Sequence, residues 1–184
     1  MTETVTLVGA GPGGAELLTR GGGAALRQAD AVVYDRLVDE SILDLIPKGA
    51  ERICVGKKMG HHPVPQDEIN ALLVHLARQG KRTVRLKGGD CYLFGRGGEE
   101  CEYLKAHGVP FRVLPGVTSA LAAPAFAGIP VTHRDFCSSV HIVTAHARAG
   151  KSLCIDFEAL VRTGGTLVFL MGLTALRQVT DGLA

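Results

Sequence analysis

The chain has 184 residues, of which 46% are hydrophobic and 21% are charged, which excludes a disordered tail and suits one large domain or slightly more. A net charge of +2 gives no overall field for nucleic acid. No apolar run reaches membrane-spanning length, and the N-terminus lacks the pattern of a secretory signal. We therefore expect a soluble cytoplasmic protein that binds neither nucleic acid nor membranes.

The five cysteines form no C-x-x-C pair, and their odd number argues against a disulfide framework. His61 and His62 resemble a metal pair, but adjacent residues rarely bind one ion and no carboxylate lies at a supporting spacing. We predict free thiols and no metal site.

Strand-like and helix-like segments alternate along the first two thirds of the chain. This alternation predicts an α/β fold with a mainly parallel, five-stranded sheet and helices on both faces. The strands are expected at 4–8, 31–34, 52–55, 81–86 and 111–114, and the helices at 16–28, 41–46, 66–79, 99–107 and 120–127.

A second, smaller unit is expected after the break at Gly128-Ile129-Pro130. Strands at 140–144 and 166–170 would flank a helix at 156–162, and a last helix would begin near Thr174. Two strands make a marginal sheet. We predict an N-terminal α/β domain at 1–132 and an incomplete C-terminal α/β domain at 133–184.

The first glycine loop, Gly9-x-Gly11-x-x-Gly14, satisfies the dinucleotide fingerprint. Asp35 ends the second strand, where an acid that binds a ribose belongs. Taken alone, these residues favour an NAD- or FAD-binding oxidoreductase of the Rossmann type. A tight strand-to-helix turn without a ligand is the other interpretation.

A second glycine loop, at 86–100, contains five glycines together with Asp90 and Arg96. Glycine allows backbone to approach a ligand closely or to adopt positive φ, at a cost in conformational entropy. A Rossmann protein concentrates its nucleotide contacts in its first βαβ unit and needs no second loop of this kind. The second loop therefore argues against a dinucleotide.

Nine sequence blocks, in this order, resemble the tetrapyrrole methylases, in particular the members that methylate uroporphyrinogen III. Any single block is weak evidence, whereas the ordered set covers the chain from Val5 to its end. The blocks are 8–13, 16–19, 34–38, 55–57, 64–66, 85–90, 94–100, 115–120 and 128–134.

The resemblance implies a methyltransferase that uses S-adenosylmethionine, releases S-adenosylhomocysteine and methylates uroporphyrinogen III at C2 and C7. The product would be precorrin-2, for sirohaem or cobalamin, and the full-length family is homodimeric. Asp90 can face the positive donor, although a turn cap is its alternative role. The residues that the resemblance assigns to the methyl donor are Pro12, Gly88, Gly89, Asp90, Leu93, Thr118, Ser119 and Met171.

Asp35 and Lys57 match the positions that the family is thought to use for proton handling. A pyrrole carbon that accepts a methyl group must lose a proton, so an acid-base pair is chemically reasonable. A strand-end turn for Asp35 and a solvated or substrate-anchoring lysine for Lys57 are the alternatives. The cations assigned to the substrate carboxylates are Arg36, Lys87, Arg96 and Arg134.

The chain departs from the family pattern at Gly14, Cys91 and Leu170, where aspartate, proline and tyrosine are usual. Cys91 exchanges a fixed φ for a free one, which predicts a looser second loop. The family also continues for roughly 60 further residues of second domain, as estimated from the usual domain size. A fragment of an active methylase and a catalytically dead remnant that binds the donor both stay open.

Overall fold

The computed structural model describes residues 2–56, 64–146 and 154–184. It consists of two compact units, residues 1–119 and 120–184. The division falls near the start of helix α5 (Ser119–Phe126), whereas the boundary expected from the sequence follows that helix, after residue 132. As a limit between folding domains, the boundary at 132 stays a prediction.

The first unit contains one five-stranded sheet in the order β3-β2-β4-β1-β5, with every neighbouring pair parallel. Strands β1 and β4 are buried along their whole length, as expected for central parallel strands covered on both faces. This arrangement confirms the predicted sheet. The strands are β1 Val5–Gly9, β2 Ala31–Tyr34, β3 Glu51–Cys54, β4 Thr83–Lys87 and β5 Phe111–Leu114.

Helices cover both faces of this sheet and enclose two hydrophobic cores. On one face, Leu73 and Leu104 of helices α3 and α4 pack against Leu7 and Val33. On the other, Leu26 and Ile42 of α1 and α2 meet Val8, Val32 and Leu86. Each such aliphatic side chain contributes about 1.5–3 kcal/mol when fully buried. The helices are α1 Arg20–Arg27, α2 Glu40–Leu43, α3 Gln66–Arg78 and α4 Gly97–Ala106.

Helix α1 is shorter than the segment 16–28 predicted for it. A 3-10 turn at Ala15–Leu17 comes first, and α1 begins after Thr19, whose hydroxyl accepts the backbone N–H of Gly22 at 3.1 Å. A Cβ on Gly22 would lie 2.9 Å from Cγ1 of Val8. The glycine therefore lets α1 pack closely on β1, which offsets its low helix propensity.

The second unit contains two parallel strands, β6 Val140–Thr144 and β7 Thr166–Leu170, as predicted. Between them lies α6 (Phe157–Arg162), which Asp156 caps by accepting the N–H of Ala159 at 2.9 Å. The unit ends in α7 (Leu176–Leu183). Within the described ranges, no helix has the length and apolar character needed to cross a membrane.

Candidate functional site

A cavity of about 260 Å³ lies at the carboxyl ends of β2 and β4. From β2 the chain leads to β3 on one side of the sheet, and from β4 it leads to β5 on the other. Open α/β sheets bind their ligands at such a switch point. The cavity is lined by Asp35, Leu37, Gln66, Ile69, Arg85, Lys87, Gly88, Phe94, Gly95 and Arg96.

Apolar and charged side chains alternate around this cavity. Leu37 is 88% exposed and Phe94 41% exposed, which is unusual for large apolar residues unless they meet a ligand or partner. Phe94 and Arg96 have φ values of 54° and 59°. Non-glycine residues in this left-handed region are strained by about 1–3 kcal/mol and occur often at ligand sites. The wall therefore suits a ligand with apolar faces and charged substituents.

Buried charges lie beneath the cavity. Glu100 is fully buried and Arg85 is 2% exposed. Oε1 of Glu100 accepts hydrogen bonds from Arg85 Nε at 2.9 Å, from Lys87 Nζ at 3.0 Å and from Gln66 Nε2 at 3.1 Å. One carboxylate oxygen thus joins β4, α3 and α4 at the floor of the cavity.

Arg85 links this buried group to Asp35. Its NH2 group donates to Oδ1 of Asp35 at 2.7 Å, and its NH1 group donates to the carbonyls of Val33 and Leu86 at 3.4 and 3.3 Å. Burial lowers the pKa of Arg85, but the Glu100 and Asp35 carboxylates outweigh that effect and leave the guanidinium pKa above its ordinary value. Arg85 is therefore a fixed cation, and Asp35 is an oriented carboxylate.

Three glycines bring together the loops that follow β1, β4 and β5. A Cβ on Gly116 would collide with the carbonyl oxygen of Gly89 and would lie 2.7 Å from the Cα of Gly9. Gly11 and Gly89 also exchange two backbone hydrogen bonds, of 3.1 and 2.9 Å. The result is a close contact of three backbone segments next to Gly88 of the cavity, which we call the glycine junction (Gly9, Gly89 and Gly116).

Asp90 ties the glycine junction together. Its Oδ1 accepts the backbone N–H groups of Tyr92 at 2.8 Å and Leu93 at 3.0 Å, and its Oδ2 accepts that of Gly116 at 3.1 Å. These bonds give Asp90 the turn-cap role that the sequence offered as an alternative. A contact between Asp90 and a methyl donor stays a prediction.

The structure brings most of the predicted donor residues together around the glycine junction. Pro12 is exposed and follows Gly11, Leu93 is half-buried after β4, and Thr118 and Ser119 are half-buried after β5. Cys91 is buried with its thiol near the Leu114 carbonyl, and its own carbonyl accepts the N–H of Gly97 at 3.0 Å. The second loop is therefore packed and hydrogen-bonded at Cys91, and its loosening relative to a loop with proline stays a prediction.

The predicted cations are distributed unevenly. Arg96 is exposed at the cavity and forms a bidentate ion pair with Glu99. Its Nε donates to Oε1 at 3.0 Å and its Nη2 donates to Oε2 at 2.6 Å, and these bonds raise the pKa of the guanidinium. Lys87 is buried against Glu100, so its geometry favours a structural ion pair over contact with a substrate. Arg36 is exposed directly after β2.

Two predicted site residues belong to the second unit, and a third is not among the described residues. Met171 directly follows β7 in the second unit and has a φ of 55°. Arg134 is exposed in a turn of the same unit. Lys57, like His61 and His62, lies outside the described residues.

Arg85, Glu100 and Gln66 are site residues that the sequence reasoning missed. A usable signal was present, because β4 is a central strand covered on both faces and still carries two cations. Buried charges need partners. Glu100, in the first turn of the following helix, was a nearby acid able to supply one.

Comparison with known proteins identifies similar sequences over nearly the whole chain. A family model described as Tetrapyrrole (Corrin/Porphyrin) Methylases matches residues 4–184. Porphyrin biosynthesis protein HemD of Ruminiclostridium josui is 55% identical over 179 residues, which are 97% of this chain and 36% of that protein. Siroheme synthase of Pseudomonas aeruginosa is 54% identical over 182 residues, 99% of this chain and 39% of that protein. The chain thus spans less than two fifths of these relatives.

Two solved structures resemble the fold closely. Uroporphyrin-III C-methyltransferase of Thermus thermophilus, in complex with S-adenosylhomocysteine, has a TM-score of 0.80 and 43% identity over 98% of this chain and 75% of that one. Cobalt precorrin-4 methyltransferase CbiF has a TM-score of 0.84 and 29% identity over 98% of this chain and 73% of that one.

Neither these matches nor the geometry supports the dinucleotide alternative. In that fold the glycine loop leads directly into a helix whose N-terminus binds the pyrophosphate. Here a 3-10 turn follows Gly14, and Thr19 caps α1. Asp35, the expected ribose ligand, is paired with Arg85.

Proposed function

Because the chain belongs to the tetrapyrrole methylase family, we propose that it catalyses S-adenosylmethionine-dependent methylation of uroporphyrinogen III at C2 and C7, giving precorrin-2. The observation that carries the proposal is the adjacency of two surfaces at one loop. Gly88 lines the cavity, and its neighbour Gly89 belongs to the glycine junction. Holding two reactants on either side of a short loop is what methyl transfer requires, since alignment can lower a barrier by roughly 7–11 kcal/mol.

The glycine junction fits the donor. Gly89 has a φ of 68°, and a Cβ on it would meet none of the described atoms within 4 Å, so the space beside this backbone is open. Asp90 supplies a carboxylate to complement a positive ligand. When bound, S-adenosylmethionine supplies an electrophilic methyl group on a sulfonium ion. We propose that Pro12, Leu93 and the segment 118–119 complete this side of the site. Met171 stays a proposed donor ligand on the strength of the resemblance alone.

The cavity fits a tetrapyrrole. Leu37 and Phe94 offer apolar contact for pyrrole rings, while Arg96 offers a guanidinium group for a carboxylate of the substrate. Arg36, next to Leu37 in the chain, is proposed as a second carboxylate ligand from the resemblance. A well-placed hydrogen bond between charged groups contributes about 1.5–3 kcal/mol. Arg134 stays a proposed substrate ligand on the strength of the resemblance.

Proton removal is the step for which this chain supplies a candidate group. The carbon that gains a methyl group must lose a proton, and Asp35 presents an oriented carboxylate at the cavity wall. We propose Asp35 as the proton acceptor. Lys57 is proposed as its partner from the resemblance alone.

We further propose a homodimer that works in the cytoplasm, as the resemblance implies for the full-length family. Large exposed apolar residues in the second unit support an interface with other protein surface. They include Phe126, Ile129, Phe136 and Leu173.

To test the function, the purified chain would be incubated with S-adenosylmethionine and reduced uroporphyrinogen III, and the products analysed by mass spectrometry. We expect the addition of two methyl groups. Asp35→Asn should slow the reaction by about 100-fold or more, as for loss of a general base. Asp44→Asn, at an exposed aspartate that ends α2, is the matched control and should leave the rate unchanged.

If no methyl transfer is seen, binding of S-adenosylhomocysteine measured by calorimetry shows whether the chain still has a donor site. Donor binding without methyl transfer would identify the chain as a donor-binding remnant and refute catalysis. Absence of both binding and transfer would refute the whole proposal.

A further inference from the structure

We propose that Glu100 is a positioning residue for this reaction, and that it acts through Arg85 to fix the Asp35 carboxylate at the cavity wall. The inference rests on the proposed function and concerns Glu100, which does not line the cavity. Glu100 is fully buried, and its described contacts are with Arg85, Lys87 and Gln66.

Charge balance is the first argument. Arg85 and Lys87 are two buried cations, and Glu100 and Asp35 are the carboxylates that face them. Asp35 keeps 30% of its side chain exposed, whereas the other three side chains are at most 4% exposed. Breaking a buried pair by removing one partner leaves an uncompensated charge. Asp35 and Glu100 therefore share one cation, Arg85.

Geometry is the second argument. Arg85 contacts Glu100 through Nε and Asp35 through NH2, while its NH1 group is held by two main-chain carbonyls of β2 and β4. A planar guanidinium held on all these sides cannot rotate to follow a different partner. The position of the Asp35 carboxylate therefore depends on the groups that anchor Arg85, and among these Glu100 is the acidic side chain.

Glu100→Gln is the informative substitution. It keeps the shape of the side chain and an oxygen able to accept from Arg85, but it removes the charge. Oε2 of Glu100 has no hydrogen-bond partner among the described atoms, so the new amide group replaces an atom without described bonds. Glu102→Gln is the matched control, because Glu102 is exposed on the same helix, α4.

The kinetic test is a double-mutant cycle. We expect Glu100→Gln to lower kcat about 10–100-fold, as for a misplacement of about 1 Å, with the dissociation constant of S-adenosylhomocysteine unchanged. In the Asp35→Asn background it should change kcat by less than about twofold, because the two residues act as one unit. The positioning role would be refuted if the losses in kcat from Glu100→Gln and Asp35→Asn multiply in the double variant. It would also be refuted if Glu100→Gln raises the dissociation constant of S-adenosylhomocysteine by the same factor as it lowers kcat. Either result would indicate a general structural role.

A second readout does not depend on turnover. In the chain labelled with ¹³C, the Cγ resonance of Asp35 should move in Glu100→Gln and stay in place in Glu102→Gln. An unmoved resonance in Glu100→Gln would overturn the proposed coupling. If Glu100→Gln fails to fold, Gln66→Met is measured instead. It removes one hydrogen bond to Glu100, and the Cγ resonance of Asp35 should shift by a smaller amount. Wild-type chain that transfers no methyl group refutes the proposed function, whereas the resonance still decides the coupling.

Discussion

Substituting Gly116 by alanine should separate the loops that form the donor side of the site. The new Cβ would lie 2.7 Å from two backbone atoms of Gly9 and would collide with the carbonyl of Gly89. Real Cβ atoms essentially never lie within 3.0 Å of another heavy atom, so the Gly116 and Gly9 backbones must separate by at least 3.0 − 2.7 = 0.3 Å, and the Gly116 and Gly89 backbones by more. Backbone atoms cannot yield as a flexible side chain would.

The energetic cost follows from this overlap. Overpacking destabilises the folded state by about 1–3 kcal/mol. Replacing glycine by alanine also reduces the entropy of the unfolded chain, which offsets about 0.4–1 kcal/mol of that loss. We expect a net loss of about 1–2 kcal/mol, which lowers the Tm by about 2–8 °C in a chain of this size. Binding of S-adenosylhomocysteine, measured by calorimetry, should weaken by about tenfold or more, as a displaced contact surface implies.

Gly49→Ala is the matched control for Gly116→Ala. A Cβ on Gly49 would meet nothing within 4 Å, and its φ is not positive. This variant should bind the donor product like wild type and melt at the same temperature or slightly above it. Gly116→Ala with wild-type affinity and Tm would show that the loops are not held together by this backbone contact.

Two further predictions follow from shifted pKa values. Side-chain and backbone hydrogen bonds from Arg82 lower the pKa of Asp30 to about 2. Because this value lies below that of the unfolded chain, the pair stabilises the fold above about pH 4, and its contribution is lost as the pH falls towards 2. Thermal unfolding of Asp30→Asn should therefore depend less on pH in this window, and an unchanged slope would contradict the assignment. Burial raises the pKa of the Cys91 thiol to about 12, whereas hydrogen bonds from Thr166 and then from the backbone of His133 lower that of Cys137. Iodoacetamide near pH 8 should alkylate Cys137 in the native chain and reach Cys91 only after denaturation, as peptide mapping would show; equal rates would contradict it.

Much of the fold could be predicted because the sequence pattern is local and regular. The strands β5, β6 and β7 have the predicted bounds, and α3 differs from its prediction by one residue. The start of α1 could not be predicted from periodicity, since the helical pattern continues through Thr19. Only the capping bond that Gly22 N–H donates to the Thr19 hydroxyl decides where that helix begins.

The site was predictable where a residue's role depends on its own loop, and less so where it depends on distant partners. The glycine loops and the cations after strands were found from sequence. The bond from Arg85 to Asp35 joins residues 50 positions apart, and the bond from Gln66 to Glu100 joins residues 34 positions apart. Neither separation has a local signature. Lys87 was for the same reason assigned to a substrate, although it is buried beside Glu100.

The pair between Arg96 and Glu99 has a consequence for ligand selection. A carboxylate that approaches Arg96 must compete with one attached to the same chain three residues away. A tethered competitor has an effective concentration in the millimolar range, which a dilute monocarboxylate cannot match. A ligand that carries several carboxylates is tethered in turn by its other contacts, so it can displace Glu99. We therefore expect Arg96 to favour a ligand with several carboxylates over a monocarboxylate.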